Sequence, residues 1–86
     1  VIGAGWWATF AHLPAIVAHP HAQLVAVQSR ERAKAEKIAR DFGAAQACTT
    51  VEEMVALDGL DAVVIASTPN VHFAQAKLAL QRGLHV

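Results

Sequence analysis

Two glycines one residue apart, with a small residue three positions after the second, follow directly on a β-branched pair: Val1-Ile2-Gly3-Ala4-Gly5-Trp6-Trp7-Ala8. The order restricts what the chain can build. The first glycine lets the backbone turn sharply off a strand. The second removes a Cβ that would hold an incoming group away from the main chain, and a small third residue lets the next helix pack closely on the strand. The start of that helix offers free N–H groups and the positive end of its dipole, which suits the phosphates of a dinucleotide. Residues 6–18 read as the helix, with Phe10, Leu13 and Val17 on one face. Pro14 lies too deep for a first-turn proline, so a kink or a split is expected there. His19-Pro20-His21 closes the segment.

The rest of the chain alternates in the same way. Leu24-Val25-Ala26-Val27 is a continuous apolar run, as in a strand buried on both faces, and Gln28-Ser29-Arg30 ends it. Residues 31–42 form the clearest amphipathic helix, with Ala35, Ile38, Ala39 and Phe42 on one face and Gly43 as its terminator. Residues 44–48 read as a short strand. Thr50-Val51-Glu52-Glu53 is a capping box, opening a short helix that buries Val51, Met54 and Val55 or Leu57. Residues 61–66 are the strongest buried strand, and Ser67-Thr68-Pro69-Asn70 breaks it. Residues 71–82 follow as a helix with Phe73, Ala76 and Leu80 on one side, then Gly83 and a last strand at Leu84-His85-Val86.

Short right-handed crossovers between such units predict an α/β fold of the Rossmann type, a doubly wound parallel sheet with strand order 3-2-1-4-5. Ligands then bind above the carboxyl ends of strands 1 and 4, where the winding reverses, so Gly3–Ala8 and Ser67–Asn70 are expected to be neighbours. The sheet reads as cut at both ends: residues 1–86 are expected to be part of one domain of a longer protein, with a substrate domain absent. Hydrophobic residues make up 55% against 16% charged, which fits a core-rich α/β unit.

Seven basic and seven acidic residues balance to zero, so there is no electrostatic footprint for nucleic acid or an anionic membrane. The apolar runs are too short to cross a bilayer. Cys48 is the only cysteine, which rules out an internal disulfide; it reads as a buried thiol, and a cytoplasmic location is expected. His12, His19 and His21 have no carboxylate or cysteine partner at ligand spacing, so no metal site is expected.

The residue ending strand 2 meets the adenosine ribose in this fold, and an acid there selects NAD by bonding its 2′-hydroxyl. This chain has Ser29 and Arg30 instead, with Lys34 one helical turn further on. A hydroxyl and a planar guanidinium suit a dianionic 2′-phosphate, so NADP is expected ahead of NAD. Glu31 works against that choice, since it can swing toward the ribose. The missing acid also argues against a methyltransferase using S-adenosylmethionine.

At Ser67-Thr68-Pro69-Asn70-Val71-His72 the signature becomes more specific. The chain resembles the N-terminal domain of the glucose–fructose oxidoreductase / inositol dehydrogenase (Gfo/Idh/MocA) family. The matching pieces run in order from Val1-Ile2-Gly3-Ala4-Gly5 through His12-Leu13-Pro14-Ala15, Leu24–Val27, Asp61–Ile65, and Thr68-Pro69-Asn70 with His72, to Gly83-Leu84-His85-Val86. The resemblance implies an NAD(P)-dependent oxidoreductase moving hydride to or from a sugar- or polyol-like substrate. It also implies a second domain that carries the substrate site and homo-oligomer contacts. The catalytic lysine motif of the family lies after the Gly-His-Val segment, so no catalytic residue is identified here, and Leu84 stands where the family commonly has lysine.

Carried over by position, Gly3, Gly5, Trp6, Trp7 and Ala8 would line the pyrophosphate and nearby ribose. Ser67, Thr68, Pro69 and Asn70 would lie under the nicotinamide half. Asn70 can cap its helix or bond a ribose hydroxyl, and His72 can reach the cofactor or make a structural hydrogen bond. Of the two tryptophans, one is expected to pack under the glycine loop and the other to wall the cleft. A non-catalytic regulator that senses nucleotide with the same fold is the alternative.

Overall fold

The fold of the computed structural model, which describes residues 1–86, follows from side-chain alternation along its extended segments. Val1 faces one hydrophobic cluster and Ile2 the other; Val27 and Ala26 divide in the same way, as do Val64 and Val63. One cluster joins Val1, Ala4, Val27 and Ala8 to Leu13, Ile38 and Ala39, and the other joins Ile2, Ala26, Cys48 and Val63 to Met54, Val55, Ala79 and Leu84. Because successive residues of a strand point to opposite faces, this places two pairs of helices on opposite sides of one extended layer.

The elements are α1 (Leu13–Ala18), β1 (Ala26–Gln28), α2 (Arg32–Phe42), β2 (Gln46–Cys48), α3 (Val51–Val55) and α4 (Pro69–Gln81). β1 and β2 pair in parallel, with Ala26, Val27 and Gln28 opposite Gln46, Ala47 and Cys48. The other three segments expected as strands are not laddered. They make single parallel bridges, Ile2 to Gln28 and to Ile65, and Ala62 to His85. At Ile2 the bridge to Ile65 is closed by two backbone hydrogen bonds, the Ile2 amide donating to the Val64 carbonyl and the Ala66 amide to the Ile2 carbonyl. β1 also runs one residue further than expected, taking Gln28 into the strand and burying it.

The first helix departs most from expectation. A π-helical turn, Ala8–His12, leads into α1 without a break, and the Leu13 amide donates to the Ala8 carbonyl. Pro14 has no N–H to give, and its ring crowds the preceding turn; widening that turn relieves both. The wide turn also throws a 3.6-residue stripe out of register. Ala8 and Leu13 are buried, while Phe10 and Val17, expected in the core, are exposed. α4 shows a similar reversal: Phe73 and Leu80 share a side, but it faces outward. This helix is apolar nearly all round, so the small Ala79, which allows close approach to Val63 and Leu84, decides which face is buried. α4 also starts two residues early. Pro69 occupies its first turn, where a missing N–H costs nothing.

α2 behaves as read, burying Ala35, Ile38 and Ala39 and ending at Gly43 with φ +75°. The α3 capping box is present in full: the Glu53 amide donates to Thr50 Oγ1 at 3.2 Å, and Glu53 Oε2 accepts from the amides of Thr50 and Thr49. Those amides hold the Glu53 carboxyl below its usual value. Burial pushes the Cys48 thiol up, and the charge of Glu53 adds to the effect. No helix is long and apolar enough to cross a membrane.

A carboxylate whose folded-state pKa is lowered contributes stability that is complete above its ordinary value of about 4.3 and drains away as pH falls through the lowered one. Glu53→Gln is therefore expected to lower stability at neutral pH and to change it little in acid, which flattens the acid limb of the stability curve. Urea unfolding at pH 7 and pH 3 checks this; an unchanged acid limb would count against the capping role.

Candidate functional site

Three segments meet at the carboxyl end of β1. The Gly3 amide donates to the Gln28 carbonyl at 3.0 Å, and the Ala66 amide donates to the Ile2 carbonyl at 2.8 Å. The glycine bend thus lies between the end of β1 on one side and the Ser67 bend on the other. The cleft they enclose has a volume of about 990 Å³. Gly3 to Trp7 line its floor and one lip, Gln28 to Glu31 with Lys34 line one end, and Ala66 to Val71 with Gln75 line the other.

The two glycines do different work. Gly3 has φ +94°, and a Cβ there would sit 2.8 Å from the Ala66 carbonyl oxygen and 2.9 Å from the Ser67 nitrogen. Both the backbone conformation and the close approach exclude a side chain. At Gly5 φ lies outside the left-handed region, and a Cβ would meet nothing within 4 Å. The protein's own packing makes no demand for glycine at position 5. What a side chain there would obstruct is the cleft. Beside it the amides of Trp6 and Trp7 make no backbone hydrogen bond, as expected of a first helical turn. A pyrophosphate fits this set: open space over a glycine, free N–H donors and a helix N-terminus.

Trp6 and Trp7 are 71% and 52% exposed, so the expectation that one would pack beneath the glycine loop is corrected. The loop has no room beneath it, because Ala4 and Ala8 already fill the contact with Leu13 and Val27. Instead the indoles gather around Phe10, which stacks on Trp6 with ring centroids 5.1 Å apart and planes 9° from parallel. Ala8 is fully buried and takes no part in the cleft lining.

At the β1 end, Ser29 Oγ accepts from the Glu31 amide at 3.3 Å, leaving the hydroxyl proton free. Arg32 and Lys37 pair along α2 with Glu36 and Asp41, whereas Arg30 and Lys34, which line the cleft, have no carboxylate partner. At the opposite end α4 holds the bend rigidly. The Ser67 hydroxyl donates to Gln75 Oε1, and His72 Nε2 donates to the Ser67 carbonyl at 2.7 Å. Of the two roles open to His72, the structure displays the structural bond, and its ring is not part of the lining. Asn70 lies inside the first turn of α4, which has no side-chain cap; capping is therefore removed from its possible roles. Thr68, Pro69 and Asn70 are exposed along the cleft.

Sequence reasoning overlooked Gln75 and Gln28. Gln75 is three residues beyond His72 and so on the same side of α4, a spacing that was legible. Gln28 was read as the polar end of a strand, although it continues the alternation of Ala26. No three His, Cys, Asp or Glu side chains stand together as a metal site.

The whole chain, residues 1–86, matches the oxidoreductase family with an NAD-binding Rossmann fold. Among its relatives is dTDP-3,4-didehydro-2,6-dideoxy-alpha-D-glucose 3-reductase of Streptomyces antibioticus, 36% identical over 86 residues, which cover 100% of this chain and 26% of that protein. A 3-ketoreductase from Actinomadura kijaniata in complex with NADP superposes with a TM-score of 0.94 at 28% identity, covering 99% of this chain and 27% of that one. Scyllo-inositol dehydrogenase from Lactobacillus casei with bound NAD(H) and scyllo-inositol gives 0.90 at 29% identity, with 99% and 25% covered. The chain spans about a quarter of the length of the relatives it matches.

The contrast between the glycines is testable by thermal unfolding. Gly3→Ala is expected to destabilise the protein by about 1–3 kcal/mol or more, from a strained backbone and a clash with Ala66. Gly5→Ala is expected to leave stability within about 0.5 kcal/mol of the parent. Equal losses would refute the distinction.

Proposed function

From the premise that this chain belongs to the Gfo/Idh/MocA oxidoreductase family, with its NAD-binding Rossmann fold, we propose that it forms the cofactor-binding part of an NADP-preferring oxidoreductase acting on a sugar- or polyol-like substrate. The observation that carries the reading is the single cleft in which the glycine bend, the Ser29–Lys34 segment and the Ser67–Asn70 bend converge. Its isolated bridges fit a five-stranded order of 44–48, 24–28, 1–2, 61–66 and 84–86, which is the 3-2-1-4-5 arrangement with the cleft at its reversal point.

In this reading the amides of Trp6 and Trp7, beside the open face of Gly5, hold the pyrophosphate. Ser29, Arg30 and Lys34 take the adenosine 2′-phosphate: Arg30 offers a fork of donors, and neither cation has a carboxylate partner to compete. Glu31 lies among them, but its charge is outweighed by two. Thr68, Pro69 and Asn70 lie under the nicotinamide half. Pro69 stiffens that bend from α4, and His72 and Gln75 hold Ser67 behind it. The bound cofactor supplies hydride transfer at nicotinamide C4, while the protein orients it and shields it from water. Names of relatives acting on a keto-sugar nucleotide and on an inositol support the substrate class. Relatives about four times as long support placing the substrate mainly on chain outside residues 1–86, with homo-oligomer contacts there too.

Titration of the full-length protein with NADPH and NADH, followed by energy transfer from tryptophan, tests the proposal. NADPH is expected to bind more tightly, and Gly5→Val to abolish binding of both. Arg30→Ala is expected to weaken NADPH at least about tenfold, the loss of a charge-assisted hydrogen bond, while NADH changes less than about twofold. Tighter binding of NADH by the unmodified protein would overturn the cofactor assignment.

A further inference from the structure

Gln28 is the one polar side chain buried in the core, 5% exposed, and it lines the cleft. Its Nε2 donates to the Thr49 carbonyl at 2.9 Å. Thr49 offers only an acceptor there, so the amide nitrogen must face it and the oxygen must face the other way. That oxygen accepts no hydrogen bond within the protein and is not sealed from solvent. A nearly buried amide is thus locked at one end, with a bare acceptor at the other, in a residue that borders the cleft. Held this way and reached by solvent, the oxygen can exchange a water for a ligand's donor without moving the side chain.

We propose that Gln28 Oε1 accepts a hydrogen bond from the 3′-hydroxyl of the adenosine ribose. The inference rests on the reading that assigns the 2′-phosphate to Ser29, Arg30 and Lys34, the residues next along the chain. Esterification at the 2′ position leaves the 3′-hydroxyl as the only hydroxyl donor on that ribose. A carboxylate at the end of β1 would grip the hydroxyl but repel the neighbouring dianion. A neutral amide provides the acceptor without that repulsion. Gln28 also ties the ribose site to the β2–α3 turn, since Thr49 in turn donates from its amide to Glu53 at 2.9 Å. The locked amide is therefore preorganised, with little side-chain freedom left to lose on binding.

Calorimetric titration of the full-length protein with adenosine 2′,5′-bisphosphate and with its 3′-deoxy counterpart tests this. The unmodified protein is expected to bind the deoxy compound about tenfold more weakly. Gln28→Met, similar in volume and without an acceptor, is expected to bind the two compounds within about twofold of each other. A purely structural role for Gln28 would weaken both compounds in the variant and keep their ratio, overturning the proposal. Equal binding of the two probes by the unmodified protein overturns it as well, whether or not the variant folds. Failure of adenosine 2′,5′-bisphosphate to bind at all would instead overturn the 2′-phosphate reading, and this inference with it.

Discussion

A missing side chain holds the molecule's functional end together. At Gly3 the backbone runs so close to Ala66 and Ser67 that a Cβ would stand 2.8 Å from a carbonyl oxygen. That approach lets the Ile2 carbonyl receive the Ala66 amide and the Gly3 amide reach the Gln28 carbonyl. Three stretches far apart in the chain are thereby brought to one rim. Ile2 bridges the same stretches at Gln28 and Ile65, and the first glycine lets them stay in contact as far as the rim.

What the rim offers is an asymmetry of charge and shape. The β1 end has two cations without carboxylate partners and a buried amide with a bare oxygen; the α4 end has a bend braced from behind by His72 and Gln75. Between them lie an open glycine and free helix N–H groups. The two cations at the basic end favour an anionic group, whereas the lining at the braced end carries no charged side chain. Trp6 and Trp7 add apolar surface at the lip of this cleft, and Phe10, outside its lining, stacks on Trp6. The π turn before Pro14 leaves Phe10 exposed, where it is available to stack on Trp6.

Much of this was legible in advance where short-range rules govern. The α2 face, the capping box at Thr50 and Glu53 and the glycine bend each depend on residues within a turn or two, and each was read from spacing. Expectations failed where one local preference met another. Phe10 and Val17 obey helical spacing but lie across a π turn; Asn70 is a good capping residue, yet Pro69 before it claims the start of α4. Phe73 and Leu80 satisfy an apolar stripe on a helix with apolar residues on nearly every side, where pattern carries no choice. Gln28 went unnoticed because polarity at the end of a strand usually marks solvent.

The amino-acid sequence alone determined the alternation of strands and helices, the residues that turn sharply and the family to which the chain belongs, since backbone sterics and hydrophobic period act locally and survive without a partner. Only the tertiary structure decided which faces of the first helix and of α4 are buried, that Trp6 and Trp7 both lie outside, and that Gln28 is held with its oxygen free. Those outcomes depend on what stands across from each side chain: Ala79 against Leu84, Phe10 against Trp6, and the Thr49 carbonyl against an amide that has only one nitrogen to offer it.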